Sequence, residues 1–522
     1  MQRLVMSLIL LAVAVGAWVV SNNRNDDTAL PLESSHVAPA TPVLSARRVP
    51  EYLSLPQANA VLEMGLNDVA NRSPELHCLV VHDGAVELFA ANPDTALVPA
   101  SNQKIVTGTA ALIELGSATT FRTAVVTDAP IVDGSVQGNV YLVGGGDPLL
   151  MTQDYVATFV GPAPPFTDLN ALADALVTMG ITQIQGAVIG DDSRYDQERA
   201  PAVWGDQYAG QVVAGPIGAL MVNGAYSSFP EAQTDDAPPP VPAGDPAVHA
   251  AGLFDDLLEA QGVVIVAGSR NEAAPEDAEE LAAIESPPLS EVVRFMMTFS
   301  DNAAAELLVK EMGLSRLGEG STSQGVLAML EIVGEQGIAI DSVFPTDGSG
   351  LSLNDRLSCN AVTDVLDLVG PESELAASMP VAGESGTLRD RFRGTDATGR
   401  VFAKTGSLSG VTALSGWVDT LPGKTLSFAY IVNTEEVDNA LLVLQRDLVE
   451  RLVAYPIGPP VDQLEPLELG DAPAEPYDGP DRPAEPAAST DTAEEPAATD
   501  PDAEQTAPGN PGDEGAGLGP DE

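Results

Sequence analysis

The strands this sequence announces lie at its two ends, and that separation constrains the fold most. "LHCLVVHDGAVELFAANPD" (76–94) reads as a hairpin with Asp83-Gly84 at its turn. Far downstream, "VFAKTG" (401–406), "VTALSGWVDT" (411–420) and "KTLSFAYIVN" (424–433) read as three strands joined by short turns, and "VDNALLVLQRDLVERLVAY" (437–455) as an amphipathic terminal helix. Between them, a helix runs from Ser101 to a stop at Gly116. "LSEVVRFMMTFS" (289–300) and "AAAELLVKEMG" (303–313) read as two more helices. Strands from both ends with helices between them predict one antiparallel sheet covered by helices, an α+β architecture.

Residues 129–284 form an excursion with strand-like runs of their own, including "GNVYLVGGGDPLL" (138–150) and "ITQIQGAVIGDDSRYD" (181–196). We expect one or two inserted domains there, dividing the main domain into 49–128 and 285–456. Two Pro/Ala/acid-rich stretches, 231–248 and 271–288, read as loops. The glycines of "GGGDP" lack the dinucleotide-binding spacing and open no helix, so they carry no nucleotide reading. The first 23 residues place Arg3 before an apolar run from Leu4 to Val20, the pattern of an export signal, either cleaved or kept as an anchor. A polar tether (24–48) follows. The far end (457–522) is acidic and Pro/Ala-rich: positions 461–522 hold 18 acids against one arginine. Such a segment cannot bury enough apolar surface to offset its ordering entropy, and disorder is expected.

The formal net charge of −53 argues against nucleic acid as a partner, since phosphate binding needs clustered Lys and Arg. Membrane contact is expected only through the N-terminal segment, if it is uncleaved. The four histidines, His36, His77, His82 and His249, show no metal-site spacing, and no motif around them suggests a Ser-His-Asp triad. No metal or cofactor is expected. Cys78 and Cys359 could form one bridge in an oxidising compartment, but sequence does not tell whether they meet.

Lysine is scarce: only Lys104, Lys310, Lys404 and Lys424 occur. In "PASNQK" (99–104), Ser101 and Lys104 stand three apart at a helix start and so share a face. A lysine activates a serine only as the neutral amine, which requires burial or a nearby cation. Alone, Ser-x-x-Lys is an ordinary helix start. Here it is followed by Ser300, Asp301 and Asn302 at a break between two helices, and by Lys404, Thr405 and Gly406 at a strand end. Each has an unremarkable reading as a cap or a turn. Their joint occurrence in this order is the trio of penicillin-binding proteins and class A β-lactamases. Lys310 and Lys424 read as an exposed helix position and a hairpin turn.

The sequence resembles the D-alanyl-D-alanine carboxypeptidase/endopeptidase family, the class C low-molecular-mass penicillin-binding proteins. The stretches that carry this are "PASNQK", "YLVGGGDPLL" (141–150), "GDDSRYD" (190–196), "SPPLSEVV" (286–293), "DGSGLS" (347–352), "PVAGESGTL" (380–388) and "AKTGSLSGV" (403–411). The resemblance covers about 50–455 and implies a β-lactamase/transpeptidase-like domain with a five-stranded antiparallel sheet, its extra domains inserted between the first and second motifs. It implies that Ser101 attacks the D-Ala-D-Ala carbonyl, with Lys104 as its base. Ser300 would relay a proton towards the leaving amine, and Asn302 would hold Lys104 and the substrate amide. Lys404 would supply positive charge, Thr405 and Ser407 would bind the terminal carboxylate across Gly406, and the N–H groups of Ser101 and Ser407 would form the oxyanion hole. The implied partners are peptidoglycan stem peptides, with β-lactams as covalent inhibitors. A class A β-lactamase would have a shorter gap than the 199 positions between Ser101 and Ser300, and a deacylating glutamate motif that is not found. The alternative is a sensor or wall-binding protein that is acylated without turnover. A pure binder would not need Ser300 and Lys404 together. "GDDSRYD" departs from the family pattern at Arg194-Tyr195, and its Asp191 and Asp192 are candidates to meet an amine of the substrate side chain.

Overall fold

The computed structural model describes residues 49–208, 211–233 and 237–456. The expected export segment, tether and acidic tail lie outside the described residues. In chain order the helices are α1 (Val49–Arg72), α2 (Gln103–Leu115), α3 (Asn170–Thr178), α4 (Pro246–Ala260), α5 (Leu289–Phe299), α6 (Asn302–Leu317), α7 (Thr322–Glu335), α8 (Cys359–Val369) and α9 (Asn439–Ala454). The longer strands are β1 (Leu76–Asp83), β2 (Val86–Ala91), β3 (Arg122–Thr127), β4 (Val140–Val143), β5 (Gln183–Asp191), β6 (Val264–Asn271), β7 (Glu279–Glu285), β8 (Val401–Leu408), β9 (Val411–Asp419) and β10 (Thr425–Asn433).

A five-stranded antiparallel sheet runs β8-β9-β10-β1-β2, so the two ends of the chain meet at the β10–β1 pairing, where Val80 faces Ala429. Period-two alternation gives this sheet two buried faces. Cys78 and Val80 of β1, with Ala429 and Ile431 of β10, pack into a core shared with α2, α5, α6, α7 and α8. Leu79 and Val81, with Phe428, Tyr430 and Val432, point the other way, into a core closed by α1 and α9. A disulfide joins Cys78 of β1 to Cys359, the first residue of α8, across 281 positions. It ties a helix of the first layer to the sheet it covers.

A second, mixed sheet of seven strands takes in the strands of the excursion together with β3, which precedes residue 129, so the sheet begins ahead of the expected boundary at 128/129. Its spine is β7-β3-β4-β5, with β6 parallel to β5 and two short strands at Ile131–Val132 and Ser135–Val136. It has its own core, built with α3 and α4. The stretch 271–288, read above as a loop, contains β7 instead. That strand has no buried residue, so its sequence "EELAAIE" lacks the alternation that marks a strand with one face in a core. The helices α1, α3, α4, α7 and α8 and the strands β3 and β6 were likewise not anticipated. Among the described residues, no helix is long and apolar enough to cross a bilayer.

Candidate active site

The nucleophile candidate sits on a tight turn, not on the regular helix. Ala100–Asn102 is a single 3₁₀ turn, and α2 begins at Gln103. Ala100 has a left-handed φ of 49°, and Asn102 anchors the turn by donating to Ser415 Oγ of β9 at 2.7 Å. Two glycines let neighbouring chains come close. A Cβ on Gly406 would lie 2.8 Å from the Pro99 carbonyl oxygen, and one on Gly350 would lie 1.9 Å from that of Ala100. Both are therefore closed to larger side chains, and β8 and the 347–352 loop press against the turn that holds Ser101.

Lys104 follows on the first turn of α2 and is completely buried. Its Nζ lies 3.1 Å from Ser101 Oγ, 2.7 Å from Asn302 Oδ1 and 2.7 Å from the Ser349 carbonyl oxygen. Burial, partly opposed by the field of Asp347 and Glu306, lowers its pKa to about 8. Among the described residues, its partners are a hydroxyl and two neutral carbonyl oxygens, with no carboxylate in contact.

The second motif is a hinge between helices. Ser300 closes α5 with a left-handed φ of 56°, Asp301 caps α6 by accepting from Ala304 N at 2.7 Å, and Asn302 is the first residue of α6. Ser300 Oγ lies 3.1 Å from Ser101 Oγ. Asn302 is held by a second contact, its Nδ2 donating to the Val213 carbonyl of the excursion at 2.8 Å. That bond fixes which end of the amide faces Lys104.

The third motif lies on the edge strand β8. Lys404, also completely buried, donates to Ser300 Oγ at 2.8 Å and to its neighbour's carbonyl, Thr405 O, at 2.9 Å. Burial first, and then the charge of Lys104, hold its pKa well below the usual lysine value. Thr405 Oγ1 donates to Thr387 Oγ1 at 2.8 Å, and Ser407 is exposed beyond Gly406. Ser101, Lys104, Ser300, Asn302 and Lys404 are thus joined in one network. Thr405, Gly406 and Ser407 line the strand beside it. The hydroxyls of Ser101 and Ser300 connect the two lysines in an unbroken series of contacts.

Sequence reasoning missed several parts of this site. The Ser349 and Val213 carbonyls act through the backbone, which leaves no signature in residue type. Glu306, Asp347 and Trp204 stand behind the 347–352 loop: Trp204 Nε1 donates to Asp347 Oδ2 at 2.8 Å. The "DGSGLS" stretch was visible, but not its contact with Lys104. Lys310, read above as exposed, is fully buried and paired with Asp196 of the excursion. The helix period could not reveal this, because the covering surface comes from residues more than a hundred positions away. Asp191 and Asp192 are also committed. Asp191 accepts from Ser193 N and Ala274 N, and Asp192 pairs with Arg199 at 2.5 Å, so neither is free for a substrate amine.

Known proteins resemble this chain in sequence and in fold. The chain matches the D-Ala-D-Ala carboxypeptidase 3 (S13) family over residues 78–239 and 232–445. A D-alanyl-D-alanine carboxypeptidase of Actinomadura sp. (strain R39) is 32% identical over 452 residues, spanning 72% of this chain and 81% of that protein. Carboxypeptidase DacB of Mycolicibacterium smegmatis is 28% identical, spanning 82% of this chain and 91% of that protein. The crystal structure of penicillin binding protein 4 (dacB) from Haemophilus influenzae shares the fold with a TM-score of 0.64, at 22% identity, over 75% of this chain and 99% of that one. The chain belongs to the D-Ala-D-Ala carboxypeptidase 3 (S13) family.

Proposed function

We propose that this protein is a serine-type D-Ala-D-Ala carboxypeptidase or endopeptidase that acts on peptidoglycan stem peptides through an acyl-enzyme on Ser101 and is inhibited by β-lactams. The observation that carries the reading is the series Lys104–Ser101–Ser300–Lys404, with spacings of 3.1, 3.1 and 2.8 Å. It provides a nucleophile, a base and a route for a proton to the leaving group.

In the resting site, burial disfavours a charge on either lysine, and the charge of Lys104 further disfavours the one on Lys404. A substrate carboxylate arriving beside Thr405 and Ser407 favours the cation on Lys404 and leaves Lys104 neutral. Ser101 Oγ then attacks the carbonyl carbon of the D-Ala-D-Ala amide, and its proton passes to Lys104 Nζ. The oxyanion is received by the backbone N–H groups of Ser101 and Ser407. Ser300 delivers a proton to the leaving nitrogen and regains the one that Lys104 took from Ser101, so that Lys104 is again the neutral amine. The C–N bond breaks and D-alanine leaves. Water attacks the ester, giving up its proton to Lys104, and Ser101 is released as the hydroxyl. A β-lactam enters the same first step, but its leaving nitrogen stays tethered to the acyl group.

An extracytoplasmic place of action fits both the substrate and the Cys78–Cys359 bridge, since such bridges persist in oxidising compartments. The test is release of D-alanine from a synthetic stem peptide ending in D-Ala-D-Ala, with Ser101→Ala as control. Release that depends on Ser101 is the expected result. Covalent penicillin labelling of Ser101 without release would reject the carboxypeptidase and leave a crosslink endopeptidase or a sensor. Absence of labelling would reject the acyl-enzyme itself.

A further inference from the structure

Lys104 Nζ has three neighbours, and only two of them can be permanent acceptors. A neutral amine carries two N–H bonds and one lone pair. Asn302 Oδ1 and Ser349 O, each at 2.7 Å, take the two N–H bonds. The lone pair must then face Ser101 Oγ at 3.1 Å, where it can accept the hydroxyl proton. The aim of the base therefore depends on what fixes those two oxygens. Asn302 is fixed by Val213. Ser349 belongs to a loop whose backbone N–H groups are held by two carboxylates. Asp347 accepts from Gly350 N at 2.7 Å and Ser352 N at 2.8 Å. Glu306 accepts from Ser349 N at 2.9 Å and from Gly348 N at 3.1 and 3.3 Å, one distance to each of its oxygens.

Glu306 is completely buried, and among the described residues its partners are backbone N–H groups, with no cation in contact. It lies four residues after Asn302 on α6, so both side chains leave the helix on one face. One reaches Lys104 directly, and the other reaches the N–H of Ser349, the residue that carries the second acceptor, while the N–H of that acceptor's own peptide unit, at Gly350, is held by Asp347. A buried carboxylate without a cation partner is costly to keep. Burial, and then the field of Asp347, raise the pKa of Glu306 to about 8, while the N–H groups that its oxygens accept and the nearby Lys104 favour the ionised acid.

We infer that Glu306 is a positioning residue for acylation: through the N–H groups of Gly348 and Ser349 it fixes the loop residue whose carbonyl faces Lys104. Its charge, behind that of Asp347 and together with those of Asp301 and Asp355, also favours the Lys104 ammonium, with Lys404 as the cation on the facing strand. The inference rests on the acyl-enzyme reading above. It concerns this carboxylate alone and gives it no contact with substrate.

The experiment compares Glu306→Gln and Glu306→Asp with the wild-type full chain, reading the rate of acylation by a fluorescent penicillin from pH 5 to 10. Gln keeps the shape, and its oxygen can take both loop N–H groups as Oε1 does, but the charge is lost and an NH₂ group replaces Oε2, which Gly348 N meets at 3.3 Å. Acylation should fall about 10- to 100-fold, the usual penalty for a misplaced catalytic group. The acid limb of the profile should also move to lower pH, because a lost negative charge makes the Lys104 ammonium less favourable. Asp keeps the charge on a shorter arm, so its rate should fall while its midpoint stays at the wild-type value. A fall in rate for Glu306→Gln without a shift in the midpoint would overturn the inference, as would a wild-type rate in either variant.

Wild-type protein that takes no label would reject the acyl-enzyme reading instead, which keeps the two failures distinct. A direct readout needs no activity. With only four lysines, ¹³Cε-labelled lysine gives four signals, and the one absent from Lys104→Met belongs to Lys104. Its titration should shift down in Glu306→Gln and stay in place in Glu306→Asp, and the reverse would overturn the inference. If Glu306→Gln does not fold, the Glu306→Asp rate decides alone.

Discussion

Two regions of α6 bury a lysine contact in opposite ways. At its start, Asn302 meets Lys104, which has oxygens around it but no carboxylate in contact. Two turns later, Lys310 is buried just as completely, but its Nζ is paired with Asp196 of the excursion. Beside it, Glu311 accepts from Arg194 at 2.6 Å and from Tyr195 at 2.8 Å. The cleft withholds a counter-charge, and the clamp supplies one. Burial alone therefore does not make a lysine reactive. Burial with neutral acceptors lowers the cost of the free base, whereas burial against an acid fastens two parts of the chain.

The largest effect that would break this contrast is in the cleft. Lys104→Met should cut penicillin acylation by about 10²- to 10⁴-fold, the usual contribution of a general base, with an unchanged melting temperature or a higher one. A variant that unfolds would instead give Lys104 the structural role ascribed to Lys310. Next comes pH. With the Lys104 pKa at about 8, the wild-type acylation rate should rise with pH up to that value and then level off. It should fall roughly tenfold per unit below it. A flat profile from pH 6 to 9 would remove the free-base argument.

The clamp should answer in stability instead. Lys310→Met leaves Asp196 unpaired, but Asp196 is 31% exposed, so the loss should be about 2 kcal/mol in denaturant unfolding, below the ~3–5 kcal/mol of a fully buried pair. The double change with Asp196→Asn should recover most of that loss. The smallest expected effect is Arg194→Ala. With a guanidinium 40% exposed, its pair with Glu311 should contribute only about 1 kcal/mol, and acylation should stay near wild type.

Residues that act through their own side chains were legible in the sequence. Lysine is so rare here that Lys104 and Lys404 stood out, and the serines and Asn302 followed from their order. The hairpin at 76–94 and the three late strands were readable because they alternate or carry continuous apolar runs. What stayed hidden acts at a distance or through the backbone. Ser349 and Val213 contribute carbonyls, and any residue type could supply those. Glu306 looks like one more acid in an acidic chain until its two N–H donors are seen. The seven-stranded sheet was only partly visible, because β6 and β7 bury no residue completely and so carry no period. Lys310 was misread because its partner is remote in sequence.

The bond from Asn302 to the Val213 carbonyl has a practical meaning for anyone shortening this enzyme. An amide side chain is nearly symmetric in shape but opposite in polarity at its two ends. Replace the excursion with a tight turn and Asn302 could rotate by half a turn at little steric cost, presenting NH₂ to Lys104 where oxygen belongs. A trimmed catalyst could thus keep every motif residue, fold, and still hold its base facing the wrong way. The detour in the chain works as a polarity key, and a minimal version would have to supply a replacement acceptor at that one place.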